Sequence, residues 1–137
     1  MKKMLIVVVI LFLVVPSIHA KTYNLAESIT SGSGNTNPID LGASVSAKKA
    51  LMFYFEGGEI NITVKVQVGT LPKGESTYIW SDTAEFTVTG AVGALLKDGV
   101  SVANPFILVS TNYCERIRIN YSISKGSIGW IVLKTSN

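Results

Sequence analysis

A small set of side chains in this sequence has types and spacings suited to binding. Tyr78 and Trp80 stand two apart in STYIWSD, a polar, turn-like stretch. Tyr113 precedes the run that carries Arg116 and Arg118. Lys65 and Gln67 share the polar parity of EINITVKVQVG, residues 59–69. Flat rings with polar rims suit sugar faces or partner proteins. Mixed cationic and amide groups on a sheet face suit acidic sugars or a neighbour's carboxylates. Each feature also has a plainer reading. Trp80 can cap one end of a core that holds Trp130. Outward Lys and Arg are what a solvated sheet face carries, and they blunt edge-to-edge aggregation.

Carboxylates come in two close pairs, Glu56 with Glu59 around Gly57-Gly58, and Asp82 with Glu85 near Trp80. A glycosidase uses such a pair at roughly 5–10 Å. Acids near turns are otherwise solvated surface, and small β-domains seldom build a catalytic cleft. Turn carboxylates can also bind calcium, but no DxDxDG loop occurs.

Other chemistries lack their residues. The one histidine, His19, lies in an N-terminal segment expected to be removed, so no imidazole is left for Ser-His-Asp or Cys-His catalysis. Zinc sites of the usual kind need His or clustered Cys, and Cys114 is the one cysteine. No GxxxxGK[ST] loop or helix-opening GxGxxG is present. The expectation is a chain with no catalytic residues, no metal site and no cofactor. Cys114 is either a small buried residue at a strand start or a thiol that bridges subunits.

The segment MKKMLIVVVILFLVVPSIHA, residues 1–20, has a basic start at Lys2-Lys3, an apolar run over 5–15, and Pro16 before Ala20. That is the build of a secretory signal peptide cut after Ala20. Its apolar run is shorter than the ~20 residues a spanning helix needs, so no stable membrane anchor is expected after cleavage. The formal charge of +3 includes the two lysines of this segment, so the remainder is close to neutral. Nucleic acid is therefore not an expected partner, because phosphate binding needs a concentrated basic surface. The expected location is periplasmic or extracellular.

These residues must be positioned by strands. Ile60, Ile62, Val64, Val66 and Val68 alternate with Asn61, Thr63, Lys65 and Gln67. Residues 115–124 alternate in the same way, with Ile117, Ile119, Tyr121 and Ile123 on one parity. KALMFYF, residues 49–55, is apolar on both parities and reads as a central strand. Gly57-Gly58 and Lys125-Gly126 read as turns, and Asp98-Gly99 as a tight hairpin. Residues 78–80 and 84–89 read as two separate short strands, and residues 38–41 as an edge strand beginning at a proline. The sum is all-β, a single β-sandwich of about eight strands, jelly-roll-like, with an immunoglobulin-like sandwich as the rival. The strand pattern is similar to that of jelly-roll modules in secreted and tail-associated proteins.

The expected organisation is a signal peptide over 1–20, an N-terminal strand with a flexible Gly/Ser linker over 21–37, and a β-sandwich over 38–137. The first strand, TYNLAESIT, has Tyr23, Leu25 and Ile29 on one parity and is followed by SGSGNTN. A tethered strand of this kind can complete its own sheet or be exchanged with another subunit. The functional expectation is an exported, non-enzymatic structural or adhesive subunit, or an accessory module, of a cell-surface assembly. Its partners would be itself or another surface protein. The alternative is a small carbohydrate-binding module with a glycan ligand.

Overall fold

The computed structural model describes residues 21–41, 48–110 and 114–135. The expected signal peptide and Tyr113 lie outside the described residues. The protein is all-β. Among the described residues nine strands join one antiparallel sheet: β1 (Lys21–Ile29), β2 (Gly32–Asn35), β3 (Ile39–Asp40), β4 (Lys49–Thr70), β5 (Ile79–Ala91), β6 (Ala94–Lys97), β7 (Val100–Ser101), β8 (Phe106–Ser110) and β9 (Arg116–Thr135). The main order is β1-β9-β4-β5-β6-β7, with β2 and β3 also on β9, and β8 also on β4.

Two strands, β4 at 22 residues and β9 at 20, organise the sheet. Their antiparallel pairing breaks register between Glu56 and Asn61, where Gly57 packs on Gly126. Both sites read as turns in the sequence. They are instead bends inside continuous strands, because the positive φ that glycine accepts serves a bulge as well as a hairpin. Gly126 has φ +81°, and a Cβ there would lie 3.0 Å from the Glu59 carbonyl oxygen and 3.1 Å from that of Glu56.

The bend divides the sheet into two limbs. The first holds residues 49–56 of β4, residues 127–135 of β9, β1 and β8. The second holds residues 60–70 of β4, residues 116–125 of β9, β2, β3, β5, β6 and β7. The inward parity of β4 changes across the bend, from Leu51, Phe53 and Phe55 to Ile60, Ile62, Val64 and Val66. Each limb thereby turns an apolar side to the same core. Phe53 of the first limb meets Phe86 of the second edge-on at 5.5 Å, and Phe86 meets Phe106 of β8 at 5.3 Å. Burying such a ring contributes about 1.5–3 kcal/mol, so this cross-limb cluster is a main source of cohesion.

Several local expectations change. SGSGNTN is not a free linker: Gly32–Asn35 pairs with β9, and Thr36 extends the pairing with N–H donating to Ile119 O at 2.8 Å. Backbone bonds need no side chains, so a polar, glycine-rich tract can still form an edge strand. Residues 78–80 and 84–89 are not two strands, since Ile79–Ala91 is one strand with a bulge. Trp130 is not in the core. It stands half-buried on the outer side of the first limb, stacked on Tyr54 at 5.5 Å with 16° between the planes. The Asp98-Gly99 hairpin holds, with φ of +48° and +81° joining β6 to β7. Cys114 is buried, and desolvation raises its thiol pKa, with Lys49 opposing the rise.

The first strand pairs with β9 of its own chain, from Lys21 opposite Thr135 to Ile29 opposite Ile128. A bulge at Leu25 buries that side chain, while Tyr23 and Ile29 pack against the core from its margin.

Candidate functional site

Tyr78, Trp80, Lys65, Gln67, Arg116 and Arg118 come together on the outer side of the second limb. The register of three strands does this. Lys65, Gln67 and Gly69 of β4 face Glu85, Asp82 and Trp80 of β5 on one flank, and Asn120, Arg118 and Arg116 of β9 on the other. The sequence offers the rings and the polar face as two unrelated features, and the structure merges them. Tyr113 lies outside the described residues.

One irregularity makes the merger. Phe86 and Val88 point inward at even positions, and Asp82 and Trp80 are also even. Unbroken alternation would drive Asp82 and Trp80 into the core. The bulge at Thr83 shifts the register between Val66 and Gln67, so Asp82 opposes Gln67 and Trp80 opposes Gly69 on the outer side. The Thr83 hydroxyl donates to Val66 O at 3.1 Å.

The rings rest where β4 has no side chain. A Cβ on Gly69 would lie 3.1 Å from two atoms of the Trp80 ring and 3.2 Å from Tyr78. Trp80 and Tyr78 sit 6.2 Å apart, and each carries a guanidinium: Arg118 at 4.1 Å from the Trp80 centroid, Arg116 at 4.2 Å from that of Tyr78. Such cation–π contacts contribute about 0.5–1 kcal/mol at exposed sites.

The charges are matched within the face. Arg118 Nε donates to Gln67 Oε1 at 2.8 Å, and Gln67 Nε2 donates to Asp82 at 2.7 Å. Lys65 lies 3.7 Å from Asp82 and 3.9 Å from Glu85, and Arg116 lies 3.5 Å from Asp40. These pairs are solvent-screened, so each contributes about 0–1 kcal/mol, and their value is in orientation. The Arg116 Nε is buried with no hydrogen-bond partner among the described residues.

The arrangement is therefore a self-neutralised ladder of cross-strand pairs. Asp82 and Glu85 serve as counter-ions to Lys65. Glu59 is bound by Lys125 at 2.8 Å, and the Glu56 carboxylate lies over Gly129. Among the described residues no three His, Cys, Asp or Glu side chains cluster to hold a metal ion.

Sequence reasoning named Asp82 only as half of a carboxylate pair near Trp80, and it missed Asp40 and Gly69 as parts of the face. No local signal reveals them, because their roles come from cross-strand register. It also missed the outer side of the first limb. There a groove of about 540 Å³ runs over β1, β9 and β4 beside Trp130. A second cavity, about 230 Å³, opens between β8 and the bulged part of β5, lined by Leu108, Val66 and Ala84 among others.

No protein family matches this chain, and no match is found to it among curated proteins or solved structures.

Proposed function

We propose that this is an exported, non-enzymatic, jelly-roll-like β-sandwich protein. Its work would be structural or adhesive, as a subunit or accessory module of a cell-surface assembly. The observation that carries this reading is the edge strand β8. Among the described residues it pairs with β4 alone, its sequence FILVS has no charge, and it leaves Ile107 and Val109 51% and 52% exposed. Soluble proteins normally blunt such an edge with charge, proline or cover. Here Pro105 and Lys97 stand only at the Phe106 end of the strand, and among the described residues Ile107 to Val109 pair with no strand on the side away from β4, which leaves a template for strand addition by another chain. The self-neutralised ladder of the second limb supports the same reading, since a flat, preset polar face needs little ordering when it meets a partner.

The β1 strand offers a different route to assembly through exchange, but inside one chain it already contributes Leu25 to the core. The carbohydrate-binding alternative built on Tyr78 and Trp80 meets an obstacle too. One face of each ring carries a guanidinium that a sugar would have to displace.

Sedimentation velocity on the exported protein tests the reading. Wild type is expected to associate as concentration rises, and Ile107→Lys with Val109→Lys to remain monomeric and folded. A wild type that stays monomeric, or a double variant that associates unchanged, overturns it. Association lost only on deleting residues 21–30 would point to β1 exchange instead.

A further inference from the structure

We propose that the groove on the outer side of the first limb binds a neutral oligosaccharide, with Trp130 as its stacking platform. This is independent of assembly through β8. The groove, about 540 Å³, falls within the ~300–1,000 Å³ usual for small-molecule sites. Trp130, Met52 and Val132 form its apolar floor, and Asn24, Glu27 and Lys134 stand around it.

The platform is held in advance. Trp130 belongs to β9, flanked by β1 and β4, and one ring face stacks on Tyr54. Gly129 permits this packing: a Cβ there would come within 2.8 Å of both the Tyr54 ring and the Glu56 carboxylate. The indole lines the groove with no guanidinium on it, unlike Trp80. The flat C–H face of a pyranose can stack on an indole, while its equatorial hydroxyls reach outward to polar groups.

Those groups are present at the rim. The Asn24 amide donates to the Glu27 carboxylate, and Glu27 pairs with Trp130 across the strands. A carboxylate accepts from two hydroxyls at once, and an amide both donates and accepts, so the pair suits vicinal hydroxyls. Ser28, also on the groove wall, has φ +51°. A non-glycine residue held there costs on the order of 1–3 kcal/mol, a cost that concentrates at binding sites.

Charge selects the sugar class. The groove is lined by one carboxylate, Glu27, and one ammonium, Lys134. Nothing in that balance favours an anionic sugar, and Glu27 beside the indole repels one. The lining is neutral overall, with the carboxylate nearest the indole, so a neutral hexose chain is the ligand it fits best.

The test titrates the exported protein from the full chain with cellohexaose, maltohexaose, mannohexaose and chitohexaose. Readouts are calorimetry and the emission of Trp130 in a Trp80→Phe background. At least one neutral oligomer is expected to bind and shift that emission. Trp130→Ala should weaken binding roughly tenfold or more, the size of an aromatic hot spot. Should that variant fail to fold, Glu27→Gln and Asn24→Ala, on the exposed side of β1, provide the same test with several-fold losses expected. The proposal fails if no neutral oligomer binds at millimolar concentration, or if binding survives these changes. It also fails if polygalacturonate or an extended peptide occupies the groove instead.

Discussion

Trp80 and Trp130 each stand beside a tyrosine on the outer side of the same bent sheet; β9 carries Trp130 and, across β4, sends its arginines to Trp80 and Tyr78. On the second limb β9 places Arg116 and Arg118 against the rings of Tyr78 and Trp80, at 4.2 and 4.1 Å. On the first limb β9 contributes the indole itself, Tyr54 stacks on one side, and the other side looks into a groove. The residue types are alike and the availability differs. Whether an aromatic pair can take a ligand is decided by what stands across the strand. A guanidinium makes the pair part of a closed ladder, whereas an open flank leaves a platform.

Both faces depend on the bend, so the largest expected effect comes from removing it. Gly126→Ala puts a Cβ about 3 Å from two carbonyl oxygens at a φ of +81°. Left-handed strain and the clash together should cost more than about 2 kcal/mol, read as a shift in the urea midpoint with unchanged slope. The contacts of both faces should weaken together. A variant that loses less than about 0.5 kcal/mol would mean that the limbs do not need glycine at the bend.

The sign of charge beside each indole gives the next effect. Trp130→Phe leaves Trp80 as the reporter, under Arg118, and Trp80→Phe leaves Trp130, beside Glu27. At equal ionic strength, the ratio of iodide to caesium quenching should be higher for Trp80, by roughly sevenfold for a potential difference near kT, since iodide is enriched and caesium depleted by about e each. Equal ratios would break the contrast between the faces.

How much of this was legible follows from the range of each signal. Alternation in residues 59–69 and 115–124 is local, so the inward Ile60, Ile62, Val64, Ile117 and Ile119 could be read directly, and all are buried. The DG hairpin was legible because both of its central residues need positive φ. The bends at Gly57-Gly58 and Gly126 were not, because a glycine does not disclose whether the next segment turns back or continues. Trp80 was legible as a candidate but not its facing, since one extra residue at Thr83 inverts parity for everything before it. Gln67 and Arg118 could each be named, whereas their mutual bond depends on a register fixed 51 residues apart. Trp130 was assigned to the core because aromatic rings dominate the cores of small β-domains. Its neighbours Ile131 and Leu133 took the inward side instead.

The smallest expected effect separates the two pairs by the physics that holds them. A double-mutant cycle of Arg118→Met with Trp80→Leu should give a coupling of about 0.5–1 kcal/mol that declines with added salt, because a cation is held by a ring quadrupole near solvent. The Arg118 change also frees Gln67, and repeating the cycle in a Gln67→Ala background subtracts that bond. A cycle of Tyr54→Leu with Trp130→Leu should give about 0.5–1.5 kcal/mol and hold steady across the same salt range, since stacked rings carry no net charge. Salt is thus the discriminating variable: if both couplings fell together, the first-limb pair would be sensing a charge that its stacking geometry does not include, and the open platform would have to be reassigned as a second charged face.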